Sequence, residues 1–135
     1  MKRKRKGKFG GKKVDVDGVL FDSAHEAECW LRVRDAMARD KRLKCDLQRE
    51  YELLPKQVTP AGQNVRAVKY TADFVLTLDG LDFPPLVIDV KTDGSALARD
   101  WPLRKKLMLF RHGIDVVEIK SVRAIEELLE SVLTI

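Results

Sequence analysis

The chain has 135 residues, 44% of them hydrophobic and 35% charged, with 26 Lys and Arg against 21 Asp and Glu. That is one domain's worth of globular material and too apolar for a disordered chain. No apolar run approaches the ~20 residues of a membrane-spanning helix, no apolar stretch follows the basic start as in a signal peptide, and two cysteines make neither a disulfide framework nor a metal spacing. A cytoplasmic protein with no membrane partner is expected.

The net charge of +5 belongs to one end. Lys2, Arg3, Lys4, Arg5, Lys6, Lys8, Lys12 and Lys13 are the eight cations of residues 1–13, which hold no acid. The rest of the chain keeps 18 basic and 21 acidic residues, a body of about −3. Residues 1–13 are expected to form a flexible cationic arm that contacts DNA by releasing phosphate counterions. A solubility tail, a ribosomal-type arm or an import signal are the plainer readings of such a run. Residues 14–135 are expected to form a single domain.

Residues 14–21 alternate apolar and polar around Asp17-Gly18, a hairpin signal. Ser23-Ala24-His25-Glu26 reads as a capping box opening a helix to about Arg39. A strand over 46–54 and a loop over 55–64 precede a long strand at 66–78. A turn over 79–85 leads to a strand at 86–91, and a loop through Thr92-Asp93-Gly94 to a helix at about 96–112. A strand at 114–119 and a helix at 124–133 complete the order. The fold class expected is α/β, a central mixed sheet flanked by helices with an N-terminal hairpin, the segment from 86 to 119 forming one crossover unit.

Three acids stand in apolar surroundings. Glu26, Trp30, Val33 and Met37 share one face of the first helix, so Glu26 sits at the end of a core stripe and needs either a capping role or a cation. Asp73 lies in Tyr70-Thr71-Ala72-Asp73-Phe74, and Asp89 in Leu86-Val87-Ile88-Asp89-Val90-Lys91, both strands where Asp is disfavoured. Backbone donors or salt bridges would satisfy each acid singly. A hairpin centred on Leu81, however, pairs residue numbers that sum to 162. Asp73 and Asp89 meet that condition and would face each other about 5 Å apart at Cβ. Facing carboxylates repel unless a cation sits between them or one stays protonated, and Mg²⁺ suits such oxygen ligands. Lys91, two residues beyond Asp89, emerges on the same face, either as a strand-end ion pair or as a group that assists water or a developing phosphorane.

These elements resemble the PD-(D/E)XK nuclease superfamily: Phe21-Asp22-Ser23-Ala24-His25-Glu26, Tyr70-Thr71-Ala72-Asp73-Phe74 and Ile88-Asp89-Val90-Lys91. More closely they are similar to a family of small phage and prophage proteins related to Holliday-junction resolvases and transposon-end nucleases. The resemblance covers about Val14 to Phe110. It implies a restriction-endonuclease-like αβββαβ core and a metal-dependent DNA endonuclease, acting on branched or recombination DNA. Within it Glu26, Asp73 and Asp89 are the catalytic acids and metal ligands, the Val90 carbonyl a further ligand, Lys91 the catalytic lysine and Gln48 a less specific polar position. Mg²⁺ is the implied cofactor, with Mn²⁺ substituting, DNA the partner and a homodimer the implied assembly. Arg104 and Lys105, on the basic face of the 96–112 helix, are candidate phosphate contacts, against the plainer reading of a solvated amphipathic helix packed through Leu103, Leu107 and Phe110. The alternative function is a non-catalytic nucleic-acid-binding accessory protein of the same fold.

Overall fold

The computed structural model describes residues 13–91 and 100–135. The arm expected over residues 1–12, and the loop and helix start expected over 92–99, lie outside the described residues. The chain runs β1 (Val14–Val16), β2 (Val19–Phe21), α1 (Ala24–Arg39), β3 (Leu43–Leu54), β4 (Gln57–Val58), β5 (Asn64–Val65), β6 (Val68–Leu78), β7 (Leu86–Val90), α2 (Trp101–His112), β8 (Val117–Ile119) and α3 (Val122–Leu133). The architecture is α/β, with a mixed four-stranded sheet in the order β3-β6-β7-β8 and three helices. Among the described residues, 13–41, 90–91 and 119–135 form one compact unit, and 42–89 with 100–118 form a second.

In the first unit the hairpin forms as its sequence dictates. Val14 pairs with Phe21, and Asp17 and Gly18 both take positive φ (55° and 80°), as a two-residue hairpin turn demands. The Ser23 hydroxyl then accepts from the Glu26 amide at 3.1 Å and caps α1. Helix α1 buries Cys29, Trp30, Val33 and Ala36, and packs on α3, which buries Ile125, Leu129 and Val132. The Phe21 and Trp30 rings lie 6.2 Å apart. An ion pair of 3.0 Å between Arg32 and Glu126 joins the two helices at their rim.

The second unit is organised by β6. It pairs antiparallel with β3 on one side and with β7 on the other. Its buried residues include Tyr70, Ala72 and Val75, which cluster with Leu53, Val87, Met108 and Val116. Burial of such side chains is the main favourable term in folding, ~1.5–3 kcal/mol for each large one.

Several boundaries differ from expectation. Strand β3 begins at Leu43, because Leu43 is buried against the pairing with Leu78 while Lys44 and Asp46 face solvent. The expected loop over 55–64 instead holds the β4–β5 hairpin. Its two-residue strands are too short to show periodicity, and local bonds close it: Thr59 N–H donates to Gln63 O (2.8 Å) and Gln63 N–H to Thr59 Oγ1 (3.0 Å). Within the described residues α2 begins at Trp101 behind Asp100, with Pro102 in its first turn where a missing N–H costs nothing. It ends at Gly113, whose φ of 69° is the left-handed conformation that terminates helices.

The packing face of α2 is a correction. Leu103 and Phe110 were expected to face the sheet, yet they are 58% and 87% exposed, while Met108 is fully buried and Leu107 partly so. The Trp101 ring lies 5.4 Å from that of Tyr70, and Met108 joins the Tyr70–Val75–Val87 cluster. Those contacts turn Trp101, Leu107 and Met108 toward the cluster, with Arg104 and Lys105 half-buried.

Candidate functional site

The β6–β7 register is the one the sequence arithmetic requires: Phe74 pairs with Ile88, Val75 with Val87 and Leu76 with Leu86. The pairs of this ladder end at Phe74 and Ile88, and Asp73 and Asp89 are the next residue on each strand. Both acids are half-buried.

Tyr70, which the sequence offered only as part of a motif, is the group that holds this pair. It is 5% exposed, and its hydroxyl donates to Asp89 Oδ1 at 2.8 Å. Burial, then the charge and hydrogen bond of Asp89, then the charge of Asp73, push the phenol well above the ordinary tyrosine range. Both acids therefore oppose ionisation of the same buried hydroxyl. The signal was present in sequence as a tyrosine three residues before Asp73, but only the pairing of β6 with β7 brings its ring to Asp89.

Gln48 lies on the other flank. Leu47 pairs with Phe74 and Arg49 with Ala72, so Gln48 and Asp73 are the residues between those two pairs. Its φ is 54°, the left-handed region that a non-glycine residue rarely occupies. It is exposed. A strained residue of this kind costs of order 1–3 kcal/mol and persists where neighbours impose it. Nothing in the sequence signals this, because glutamine in a charged strand carries no turn signature.

Glu26 lies in the first unit and is the one buried charged side chain among the described residues, at 5% exposure. Its Oε1 accepts from the Asp22 amide at 3.2 Å, one residue short of the usual capping-box partner. Val90 and Lys91 also belong to the first unit, both are half-buried, and the Lys91 amide donates to the Ile119 carbonyl at 2.8 Å.

The proposed phosphate contacts have intramolecular partners. Arg104 bonds Asp100 at 2.8 Å and the Lys69 carbonyl, and the contact holds the Asp100 carboxyl below its usual range. Lys105 bonds Glu118 at 2.8 Å, which raises its ammonium above the usual lysine range. Lys13, the last cation of the arm and its one described residue, pairs with Asp22 at 2.6 Å. Lys2, Arg3, Lys4, Arg5, Lys6, Lys8 and Lys12 lie outside the described residues.

The donor set tests which cofactor fits. Among the described residues no group of three or more His, Cys, Asp and Glu side chains is gathered as a metal cluster. A closed zinc site of nitrogen and sulfur ligands is therefore a poor fit to what surrounds Asp73 and Asp89. Two hard carboxylates are the number Mg²⁺ commonly takes from protein, the rest of its shell being water and substrate phosphate.

Fold and site thus define an α/β chain with an acid on each of the two inner strands of a mixed sheet. A family model described as protein of unknown function (DUF1064) matches residues 6–126, and the chain belongs to that family. No curated protein and no solved structure matches it.

Proposed function

We propose that the protein is a metal-dependent DNA endonuclease with a restriction-endonuclease-like core. The observation that carries this reading is the β6–β7 register, which brings Asp73 and Asp89 to the same end of the ladder, with the buried Tyr70 hydroxyl bonded to Asp89. The order α1, β3, β6, β7, α2, β8 supports it, because it is the αβββαβ order that the resemblance implies, with the β4–β5 hairpin inserted.

In this reading Asp73 and Asp89 hold Mg²⁺, which Mn²⁺ can replace. With a divalent ion held by these acids, the site would gain Lewis acidity for phosphodiester hydrolysis. Tyr70 fixes the rotamer of Asp89 by occupying Oδ1, so that the carboxylate is oriented before substrate arrives. The Lys91 ammonium offsets charge that builds on the phosphate in the transition state. Glu26 is the third acid, the Val90 carbonyl a further oxygen donor and Gln48 a polar neighbour of the scissile region. The cationic residues 2–13 hold the DNA backbone, with Arg104 and Lys105 as secondary contacts. Phage or prophage origin, action on branched DNA and a homodimeric assembly follow the same resemblance.

The test is cleavage of plasmid, single-stranded and four-way-junction DNA with Mg²⁺, Mn²⁺ or EDTA, by wild type, Asp89→Asn and Lys91→Ala. Cleavage should need the metal and fall at least ~100-fold in Asp89→Asn, since several kcal/mol of charge stabilisation are removed. Calorimetric titration with Mg²⁺ should show weakened binding in Asp73→Asn and Asp89→Asn. Cleavage that survives EDTA or Asp89→Asn sinks the metal mechanism. DNA binding without cleavage makes the protein an accessory factor.

A further inference from the structure

We infer that the β4–β5 hairpin is a duplex-DNA reading element, a two-stranded ribbon that enters a groove while the carboxylate pair meets the backbone. This rests on the DNA reading above and adds the form of the substrate and the residues that grip it.

The hairpin is exposed along nearly its whole length. Lys56, Gln57, Val58, Gln63, Asn64, Val65 and Arg66 all face solvent, and Val58 is 63% exposed. It is nonetheless closed at its turn by the Thr59–Gln63 bonds and by Gly62 N–H donating to Thr59 O at 2.8 Å. A ribbon that is ordered before binding loses little conformational freedom when it binds.

Its chemistry is that of a groove reader. From residue 53 to residue 72 the chain has no acid, although the body as a whole carries more acids than bases. Elsewhere in the second unit Lys44, Arg49, Lys69, Arg104, Lys105 and Arg111 are each in an ion pair, Lys106 being another exposed cation in none among the described residues. Lys56 and Arg66 flank the hairpin strands and are in no ion pair among the described residues, so their charge is available to phosphates. Between them stand three side-chain amides, Gln57, Gln63 and Asn64. Such amides bond the adenine edge in the major groove, whose ~12 Å width admits a two-stranded ribbon, and an exposed valine suits a thymine methyl. Along the chain Arg66 is seven residues from Asp73, at most ~25 Å. A duplex rises ~3.4 Å per base pair, so one engaged by the hairpin reaches the carboxylates within roughly one helical turn.

The test measures binding, not cleavage. The full chain is titrated into a fluorescent duplex in EDTA at several salt concentrations, as wild type, as Lys56→Ala with Arg66→Ala, and as Gln63→Ala with Asn64→Ala. A control, Lys41→Ala with Lys120→Ala, removes the same charge from exposed positions of the first unit. Loss of two phosphate contacts should reduce the slope of log affinity against log salt by ~1.8. Wild type should therefore lose ~12-fold more affinity than the Lys56/Arg66 variant between ~50 and ~200 mM salt. The amide variant should keep the wild-type slope and lose discrimination between duplex sequences, and the control should keep both. A Lys56/Arg66 variant with the wild-type slope overturns the inference. So does one whose loss of binding accompanies conversion of a dimer to a monomer in sedimentation, which would make the hairpin a contact between copies. Wild type that binds no duplex overturns this inference and the DNA reading together. Wild type that binds through a hairpin-independent slope overturns the inference alone, and absence of cleavage bears only on the metal mechanism.

Discussion

Removing the Tyr70 hydroxyl should destabilise the protein at neutral pH and should cease to matter in alkali. The hydroxyl is 5% exposed and donates to a carboxylate at 2.8 Å. A hydrogen bond to a charged acceptor contributes ~1.5–3 kcal/mol, so Tyr70→Phe should cost about that much at pH 8. The folded phenol titrates well above its ordinary value of 10.0, because burial and the neighbouring acids oppose its ionisation. The folded chain thus keeps a proton that the unfolded chain releases above pH 10. Stability from this group is complete below pH 10 and falls as pH rises beyond it, by ~1.4 kcal/mol at pH 11 and ~2 kcal/mol at pH 11.5. Phenylalanine has no proton to lose, so the gap between wild type and variant should narrow by those amounts. Urea unfolding followed by circular dichroism, at constant ionic strength and at pH 8, 10, 11 and 11.5, measures the gap. Other groups with raised values, such as the Cys45 thiol, are common to both proteins and cancel in the difference. A gap that stays constant from pH 8 to 11.5, or a variant more stable than wild type at pH 8, refutes the buried Tyr70–Asp89 bond.

Two further predictions test the packing. Met108→Ala should cost ~2–5 kcal/mol, as for a fully buried side chain, whereas Phe110→Ser should lie within ~0.5 kcal/mol of wild type, as for a surface site. Thermal or urea unfolding giving the reverse order would restore the Leu103–Leu107–Phe110 face as the inner one. Burial pushes the Cys45 thiol up to about 12, against an ordinary 9.0, despite a bond from the Val75 backbone that acts the other way. Its thiolate fraction at pH 8 is then about a thousandfold below that of an ordinary cysteine. Iodoacetamide at pH 8 should leave Cys45 and the buried Cys29 unmodified in the native protein and alkylate both in denaturant. Native Cys45 alkylated as fast as free cysteine would contradict its placement.

The features legible in the order of residues are local ones. Asp17-Gly18 specified the first hairpin because both positions need positive φ, and Ser23 specified the start of α1 because its hydroxyl satisfies an amide with no helical partner. The β6–β7 register was legible too, since a short antiparallel connection leaves few ways to align two apolar runs without exposing them. That register is what makes Asp73 and Asp89 successive to its last pair, Phe74 with Ile88.

Tertiary structure decided what depends on side chains far apart in the chain. The rotation of α2 could not be read from its apolar spacing, because Leu103–Leu107–Phe110 and Trp101–Met108 are both acceptable helical stripes. The Tyr70 cluster selects the second by offering Trp101 and Met108 a place to pack. Tyr70 became the partner of Asp89 only when β6 and β7 paired, and Gln48 took its left-handed backbone only between the Leu47–Phe74 and Arg49–Ala72 pairs. The opening charge count divides in the same way. The arm's eight cations are legible in sequence as a run without acids, while the state of the other cations was settled by contacts across the fold. Lys105 and Arg111 meet Glu118 and Glu52, and Arg104 reaches the Lys69 carbonyl. Lys56 and Arg66 keep their charge exposed, because the hairpin that carries them is acid-free and stands clear of the core.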